Sequence, residues 1–248
     1  STNESGVRWL RLNEKATKPE WVKSFTMESG MAGSSVRIVF RDIEGNHWFG
    51  NNGDGLSVLN SLAFSFHAPG LTPDANNIIY TSAIGLNYFL GTPQGYYLYD
   101  IDGSRVISYN DILRYTGKNE VSAYFVEPDG TIYFGTKGSG LFRKSVRGDV
   151  SSVYRSGNTG EDYINNIATD AGNIWIATLN GVILINKKSG SLERYNINNG
   201  LPHNNISQIF LNEDGSASIA SKTDRIYTIS PDGKVTSGKT PMSGTTIN

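Results

Sequence analysis

Ile164–Asn205 reads INNIATDAGNIWIATLNGVILINKKSGSLERYNINNGLPHNN. It divides into four short runs separated by turn chemistry. Ile164–Thr169 is apolar with polar interruptions and ends at Asp170-Ala171-Gly172-Asn173. Ile174–Thr178 alternates around Trp175 and stops at Asn180-Gly181. Val182–Asn186 stops at Lys187-Lys188-Ser189-Gly190, and Ser191–Asn196 is a fourth, more polar run. Runs of about 5 residues rich in β-branched and aromatic side chains, bounded by Asn, Asp and Gly that reach φ > 0 cheaply, are hairpin sequences. The stretch predicts a four-stranded antiparallel meander.

The unit recurs along the chain. Aligned on the small residue that closes the second strand, with an aromatic two positions before it, the copies are Trp48/Gly50, Phe89/Gly91, Tyr133/Gly135 and Trp175/Ala177, followed by a weaker Ser218/Ala220. The spacing is about 42 residues, and four strands at that period are the signature of a β-propeller blade. The turn before the second strand recurs as Glu44-Gly45-Asn46, Asp129-Gly130-Thr131, Ala171-Gly172-Asn173 and Asp214-Gly215-Ser216. The turn after it recurs as Asp54-Gly55-Leu56, Gln94-Gly95-Tyr96, Ser139-Gly140-Leu141 and Asn180-Gly181-Val182, whereas Asp224-Arg225-Ile226 has lost its glycine.

Val7–Asn13 aligns with a third strand, with Gly6 where Gly181 stands, and Trp21–Thr26 fills a fourth-strand slot. The chain therefore starts on half a blade. First strands are expected near Val36–Arg41, Ile78–Ser82, Val121–Val126, Ile164–Thr169 and Ile206–Leu211, and the last copy closes with Arg225–Ser230 and Lys234–Ser237. The expected fold is all-β, a β-propeller or propeller arc of four-stranded antiparallel blades, about five and a half of them and roughly 22 strands. Residues 1–30 are expected as the half blade, 31–73, 74–117, 118–159, 160–202 and 203–240 as blades, and 241–248 as a tail, all within one domain, 1–248. Lys239–Asn248 is too short for the two inner strands the half blade lacks. The expectation is an excerpt of a longer, seven-bladed propeller, with an imperfectly closed six-bladed ring as the alternative. An open arc would leave sheet edges and apolar faces seeking a partner.

With 38% hydrophobic and 18% charged residues, the composition is that of a globular chain, and 28 glycines against 8 prolines fit many tight turns. A net charge of −1 gives no electrostatic reason to bind nucleic acid or an anionic membrane. The absence of cysteine excludes disulfides and thiolate metal sites. No apolar run approaches the roughly 18 residues of a membrane span, and no signal peptide opens the chain. Helical periodicity and low-complexity runs are absent, and His67–Asn77 is the longest loop expected.

A unit of the form D-x-x-G-N-I-W-I-G-T, then x-x-G-L, a third strand and a closing G-L-P-x-N resembles the two-component regulator propeller repeat. Asp170–Thr178 and Gly200-Leu201-Pro202-His203-Asn204 carry that resemblance most closely. It extends over essentially the whole chain, strongest in the third and fourth copies and weakest in the second and fifth. The resemblance implies a periplasmic sensor region, the extracytoplasmic part of an inner-membrane hybrid two-component system of Bacteroidetes-type gut bacteria. Such sensors respond to breakdown products of polysaccharides. The resemblance implies an oligosaccharide or other small ligand, further blades and signalling domains of the same protein as partners, no cofactor, and room for a homodimer. Similar repeats also occur in cell-surface and secretion-associated propellers, so a protein-interaction scaffold is the alternative. A propeller lyase or hydrolase is a third reading, but the histidine/glutamate arrangement of the streptogramin lyases has no visible counterpart here.

The recurrent aromatics Trp48, Phe89, Tyr133 and Trp175 are expected as blade core, because each blade must pack on its neighbour across about 10 Å. His47 replaces Ile132 and Ile174 of other copies and is expected as a core histidine. His67 and His203 fall in loops. No H-E-x-x-H, EF-hand or G-x-S-x-G spacing occurs, so neither a metal nor a catalytic residue is expected. In propellers the loops between second and third strands and those between blades gather at one mouth. Non-equivalent side chains at equivalent loop positions there make Asp54, Gln94, Tyr115, Lys137, Tyr163, Asn180, His203, Asn205 and Lys222 the candidate ligand contacts. Ordinary solvated loops are the competing reading for each of them.

Overall fold

The computed structural model describes residues 6–12, 19–42, 45–60, 63–67, 77–84, 87–100, 106–109, 111–117, 119–221 and 226–237. Among these residues 22 strands form one two-stranded and five four-stranded sheets, every pairing antiparallel and between neighbours in sequence. The fold is all-β and each four-stranded sheet is a propeller blade.

The chain forms two compact units, Ser1–Tyr115 and Thr116–Asn248. The first holds the half blade β1 (Val7–Leu12) and β2 (Pro19–Phe25). It continues with β3 (Val36–Arg41), β4 (His47–Asn51), β5 (Leu56–Asn60) and β6 (Ala63–His67) as blade 1. Blade 2 is β7 (Tyr80–Ile84), β8 (Asn87–Thr92), β9 (Gly95–Asp100) and β10 (Val106–Tyr109). The second unit holds blade 3, with β11 (Val121–Val126), β12 (Ile132–Thr136), β13 (Leu141–Lys144) and β14 (Val150–Tyr154). Blade 4 is β15 (Ile164–Thr169), β16 (Asn173–Thr178), β17 (Gly181–Asn186) and β18 (Leu192–Tyr195). Blade 5 is β19 (Ile206–Leu211), β20 (Ala217–Ser221), β21 (Ile226–Ile229) and β22 (Val235–Ser237).

Two differences from the sequence reading have local causes. β7 begins at Tyr80 rather than Ile78, because Asn77 bridges to Asn52 and the residues between belong to the link from blade 1. Single helical turns stand at Met27–Ser29, Asp111–Arg114, Ile197–Asn199 and in α1 (Thr159–Asp162), each too short to show a period in sequence. The loop residues 68–76, the turn at 222–225 and the tail 238–248 lie outside the described residues.

In blades 1 and 4 one aspartate holds the turn ahead of the second strand. Asp42 Oδ2 accepts Trp48 Nε1 at 2.8 Å, while its Oδ1 accepts the Asn46 N–H at 2.8 Å. Asp170 repeats this with the N–H groups of Gly172 and Asn173 at 2.7 and 2.8 Å and with Trp175 Nε1 at 3.3 Å. In blade 5 Asn212 takes the role toward Ser216 and Ser218. Glu127 stands there in blade 3 and instead receives Thr169 Oγ1 and Lys187 Nζ, both at 2.7 Å, tying blade 3 to blade 4.

Trp48, Tyr133 and Trp175 of the second strands pack forward onto the next blade, whereas the printed contacts of Phe89 lie within its own blade. Trp175 is 5% exposed among Ile206, Ile209, Ala217 and Ile219. Tyr133 lies among Ile164, Ile167, Ile174 and Ile176. Trp48 is half-buried, its ring 4.3 Å from that of Tyr88, and Phe89 is fully buried against Tyr96. Close approach explains the small residue that follows: a Cβ on Gly135 would lie 2.4 Å from Ile164 Cγ2.

Candidate functional site

Each first strand of the second unit carries an irregularity after its first residue, between Val121 and Ala123, Ile164 and Asn166, and Ile206 and Gln208. A bulge leaves one residue outside the ladder and re-aims it. The residues so released are Ser122, Asn165 and Ser207. Ser122 Oγ donates to Ile164 O at 2.6 Å and Asn165 Nδ2 donates to Ile206 O at 2.7 Å, lacing each first strand to the next. Ser207 Oγ donates to Ala220 O at 3.1 Å within its own blade.

At this edge a pocket of about 370 Å³ opens between blades 4 and 5, lined by Tyr163, Asn165, Leu179, Asn205 and Ser207. Asn205 Oδ1 accepts from Asn165 Nδ2 at 3.5 Å, a long contact. By the valence of each group, the Asn165 amide oxygen, the Asn205 amide N–H groups, the Ser207 lone pairs and the Tyr163 hydroxyl retain capacity for a ligand. Leu179, 38% exposed, contributes the apolar side. The lining carries no carboxylate, ammonium or guanidinium.

The loop that presents Tyr163 is rigidly built. The Asp162 carboxylate, 2% exposed, accepts the N–H groups of Ser156 and Gly157 at 2.7 and 2.9 Å and Ser156 Oγ at 3.1 Å. Asp162 O accepts the N–H groups of Gly138 and Gly140, and Asn158 caps α1 by accepting the Gly160 N–H. Tyr154 donates to Glu161 Oε2 at 2.6 Å; burial, then that carboxylate, push its phenol up to about 12. The loop that presents Asn205 is held by Asn204, whose Oδ1 accepts the Ile197 N–H at 3.0 Å and whose Nδ2 donates to Asn180 Oδ1 at 3.0 Å. Leu201 anchors the same loop in the core at 3% exposure.

Of the candidates taken from sequence, Tyr163 and Asn205 meet in this pocket. Lys137 pairs through its backbone with Tyr163, while its ammonium lies 2.5 Å from the Glu120 carboxylate. Asn180 is occupied in the tie to Asn204, and exposed His203 accepts the Asn205 N–H through Nδ1 at 3.4 Å. Of the remaining four, Asp54, Gln94 and Tyr115 stand in the first unit. Exposed Asp54 packs its carboxylate on Gly33, where a Cβ would lie 2.1 Å from Oδ2. Half-buried Gln94 has a buried Oε1 without a hydrogen-bond partner among the described residues. Tyr115 accepts from its neighbour Arg114 at 2.6 Å. Lys222 lies outside the described residues. Asn165, Leu179 and Ser207 were not among the candidates. For Asn165 and Ser207 the signal was the second position of each first strand, which changes from Ser122 to Asn165 to Ser207 behind an apolar first residue, Val121, Ile164 or Ile206.

Among the described residues no three His, Cys, Asp or Glu side chains gather in a way that could hold a metal, and no helix is long and apolar enough to cross a membrane.

No family model and no curated protein matches the sequence. Solved structures do. The extracellular domain assigned to a hybrid two-component system of B. thetaiotaomicron superposes with a TM-score of 0.72 at 20% identity, over 89% of this chain and 30% of that one. Virginiamycin B lyase from Staphylococcus aureus gives 0.65 at 15% identity, over 81% of this chain and 68% of the lyase. PorZ, a surface component of the type-IX secretion system of Porphyromonas gingivalis, gives 0.56 at 15% identity, over 89% of this chain and 34% of that one. The chain thus spans 30% of the length of the first of these. At such identities the likeness carries the fold, and the fold of this chain is that of a β-propeller.

Proposed function

We propose that this chain is a non-catalytic, extracytoplasmic ligand-recognition propeller of a hybrid two-component sensor, and that its ligand is a neutral oligosaccharide released from a polysaccharide. The observation that carries the reading is the pocket between blades 4 and 5. It joins a phenol and an exposed leucine to two carboxamides and a hydroxyl, without formal charge, on loops fixed by buried hydrogen bonds. A sugar ring offers hydroxyls that both donate and accept, together with C–H faces that rest on apolar or aromatic side chains. A pocket of a few hundred Å³ with a small number of placed polar groups is the usual form of a small-molecule site. Amides and hydroxyls match sugar hydroxyls without the desolvation cost of a charge. Signalling would follow from differential affinity of the ligand for two arrangements of the full sensor.

The test is a thermal-melting panel of neutral plant and host-glycan oligosaccharides against this chain. Ligand at a hundred times Kd stabilises by about 2.7 kcal/mol, which raises the midpoint visibly. One sugar class is expected to shift the wild type and to lose at least about tenfold in affinity in Tyr163→Ala and in Asn165→Ala, a loss of about 1.4 kcal/mol. A flat panel with folded protein, or a shift indifferent to both substitutions, rejects the reading.

A further inference from the structure

Three asparagines of this chain are followed by glycine: Asn52-Gly53, Asn180-Gly181 and Asn199-Gly200. At such a step the glycine nitrogen, with no Cβ beside it, can attack the side-chain carbonyl carbon of the asparagine. A bond forms between that nitrogen and Cγ, the Cγ–Nδ2 bond breaks, and a cyclic imide is left. The departing amide takes the proton of the glycine N–H and leaves as ammonia. Water then opens the imide at one carbonyl or the other, which gives an aspartyl or an isoaspartyl residue. Ring closure asks two things of the fold: a carboxamide free to swing toward the backbone, and a glycine N–H that is not held.

The three steps differ in both respects. Asn180 is half-buried, its Oδ1 accepts from Asn204 Nδ2 at 3.0 Å, and the Gly181 N–H is held by Asn204 O at 2.6 Å. A Cβ on Gly181 would lie 2.1 Å from Tyr195 O, so the backbone there has no room to turn. Asn199 is exposed, but its carboxamide is tied at both ends, Oδ1 by the Asn196 N–H at 2.6 Å and Nδ2 by Arg194 O. Asn52 and Gly53 are also exposed, and among the described residues neither the Asn52 carboxamide nor the Gly53 N–H has a hydrogen-bond partner. At φ 89° Gly53 has nothing within 4 Å of where a Cβ would stand. Blade 3 shows the restraint that is missing. The Asn51 N–H meets Gly55 O as the Thr136 N–H meets Gly140 O, so the two turns match, yet in blade 3 the Gly138 N–H donates to Asp162 O at 3.1 Å.

We infer that Asn52 is a site of spontaneous modification, converted by loss of ammonia and uptake of water to an isoaspartyl or aspartyl residue, while the fold protects Asn180 and Asn199. Either product adds a negative charge two residues from Asp54, in a chain whose formal net charge is −1. The isoaspartyl form also adds a carbon to the main chain at a residue that is otherwise fixed. Its N–H donates to Ser35 O at 2.8 Å, and it bridges to Asn77 in the link between blades 1 and 2. The change therefore falls on the segment that joins these two blades.

The experiment incubates the purified chain at neutral pH, folded in one arm and unfolded in urea in the other, until half of Asn180 in the unfolded arm has converted. Peptide mapping by mass spectrometry reads the mass gain at each site, and labelling by an isoaspartyl methyltransferase reads the isomer. In the folded arm Asn52 is expected to convert at least about tenfold more than Asn180 or Asn199, because each of those must first open locally. Unfolded chain is expected to convert all three. A smaller ratio in the folded arm, or an intact Asn52, overturns the inference. Folded Asn52→Gln, which would have to close a larger ring, is expected to lose both signals from that peptide. Signals that persist there at the parent's level belong to Asn51 or Asp54 and overturn it as well.

Discussion

Asp170 shows how a sequence motif becomes a structural part. Its carboxylate accepts two backbone N–H groups and the Trp175 indole N–H, so one side chain closes the turn and fixes the rotamer of the blade's largest core residue. Burial pushes the Asp170 carboxyl up, but hydrogen bonds from Gly172, Trp175 and Asn173 outweigh it and hold it below its ordinary 3.8. A carboxyl depressed in the folded state stabilises above its unfolded value, and that contribution is lost as pH falls through the folded value. Asp170→Ala strands four donors, the N–H groups of Gly172 and Asn173, Asn173 Nδ2 and Trp175 Nε1, and is expected to cost about 2 kcal/mol in urea unfolding at neutral pH, and to lose less at acid pH. His47 behaves in the opposite chemical sense with the same outcome. Burial, then Arg41, lower it from 6.5 against the opposing pull of Asp42. The unfolded chain therefore binds the proton more readily, and stability is expected to decline as pH falls from about 6.5 toward the folded value. Unfolding of His47→Leu across that window should lack this decline, and an unchanged slope would contradict the assignment.

At the scale of the element, the blades were legible because three signals coincide: a period near 42 residues, turn pairs rich in Gly and Asn, and an aromatic two positions ahead of a small residue. β3, β11, β15 and β19 stand where the repeat puts them. What was not legible is the extra residue after the first position of those strands. In sequence Ser122, Asn165 and Ser207 are no more than polar interruptions of a strand, but a bulge turns them along the edge, where they bond to the next blade or line the pocket. One misplaced residue barely disturbs an alternation of 6. Trp175 was legible as core for a physical reason, since a large side chain repeated in phase has to be accommodated by every neighbour. Gly181 was legible as a turn, though its full constraint was not: at φ 110° a Cβ there would lie 2.1 Å from Tyr195 O. Gly181→Ala is expected to destabilise by roughly 2 kcal/mol or more, because backbone must move, whereas Gly190→Ala at φ 72° has nothing within 4 Å and should cost about 1 kcal/mol. Urea midpoints of the two variants make the comparison, and equal costs would reject the close approach as the cause.

For the molecule as a whole, sequence reached the scaffold before it reached the site. A near-neutral chain without cysteine and with three histidines carries no motif from which a chemistry can be read. It does not say which mouth residues converge. Tyr163 and Asn205 do, because α1 and the Leu201–Asn204 loop place them beside the bulged first strands, while Asn180 and Lys137 are spent on Asn204 and Glu120. Polar residues in loops look alike in sequence whether they tie the scaffold or face a ligand; only their partners separate the two. The pocket between blades 4 and 5 is where we propose that ligand binds. Hydrogen exchange of this chain with and without the stabilising oligosaccharide tests it most directly. The account predicts slowed exchange confined to Tyr163–Ile167, Leu179–Gly181 and Asn204–Ile209, abolished by Asn165→Ala. Protection that falls elsewhere, or none at a sugar concentration that raises the melting midpoint, would contradict it.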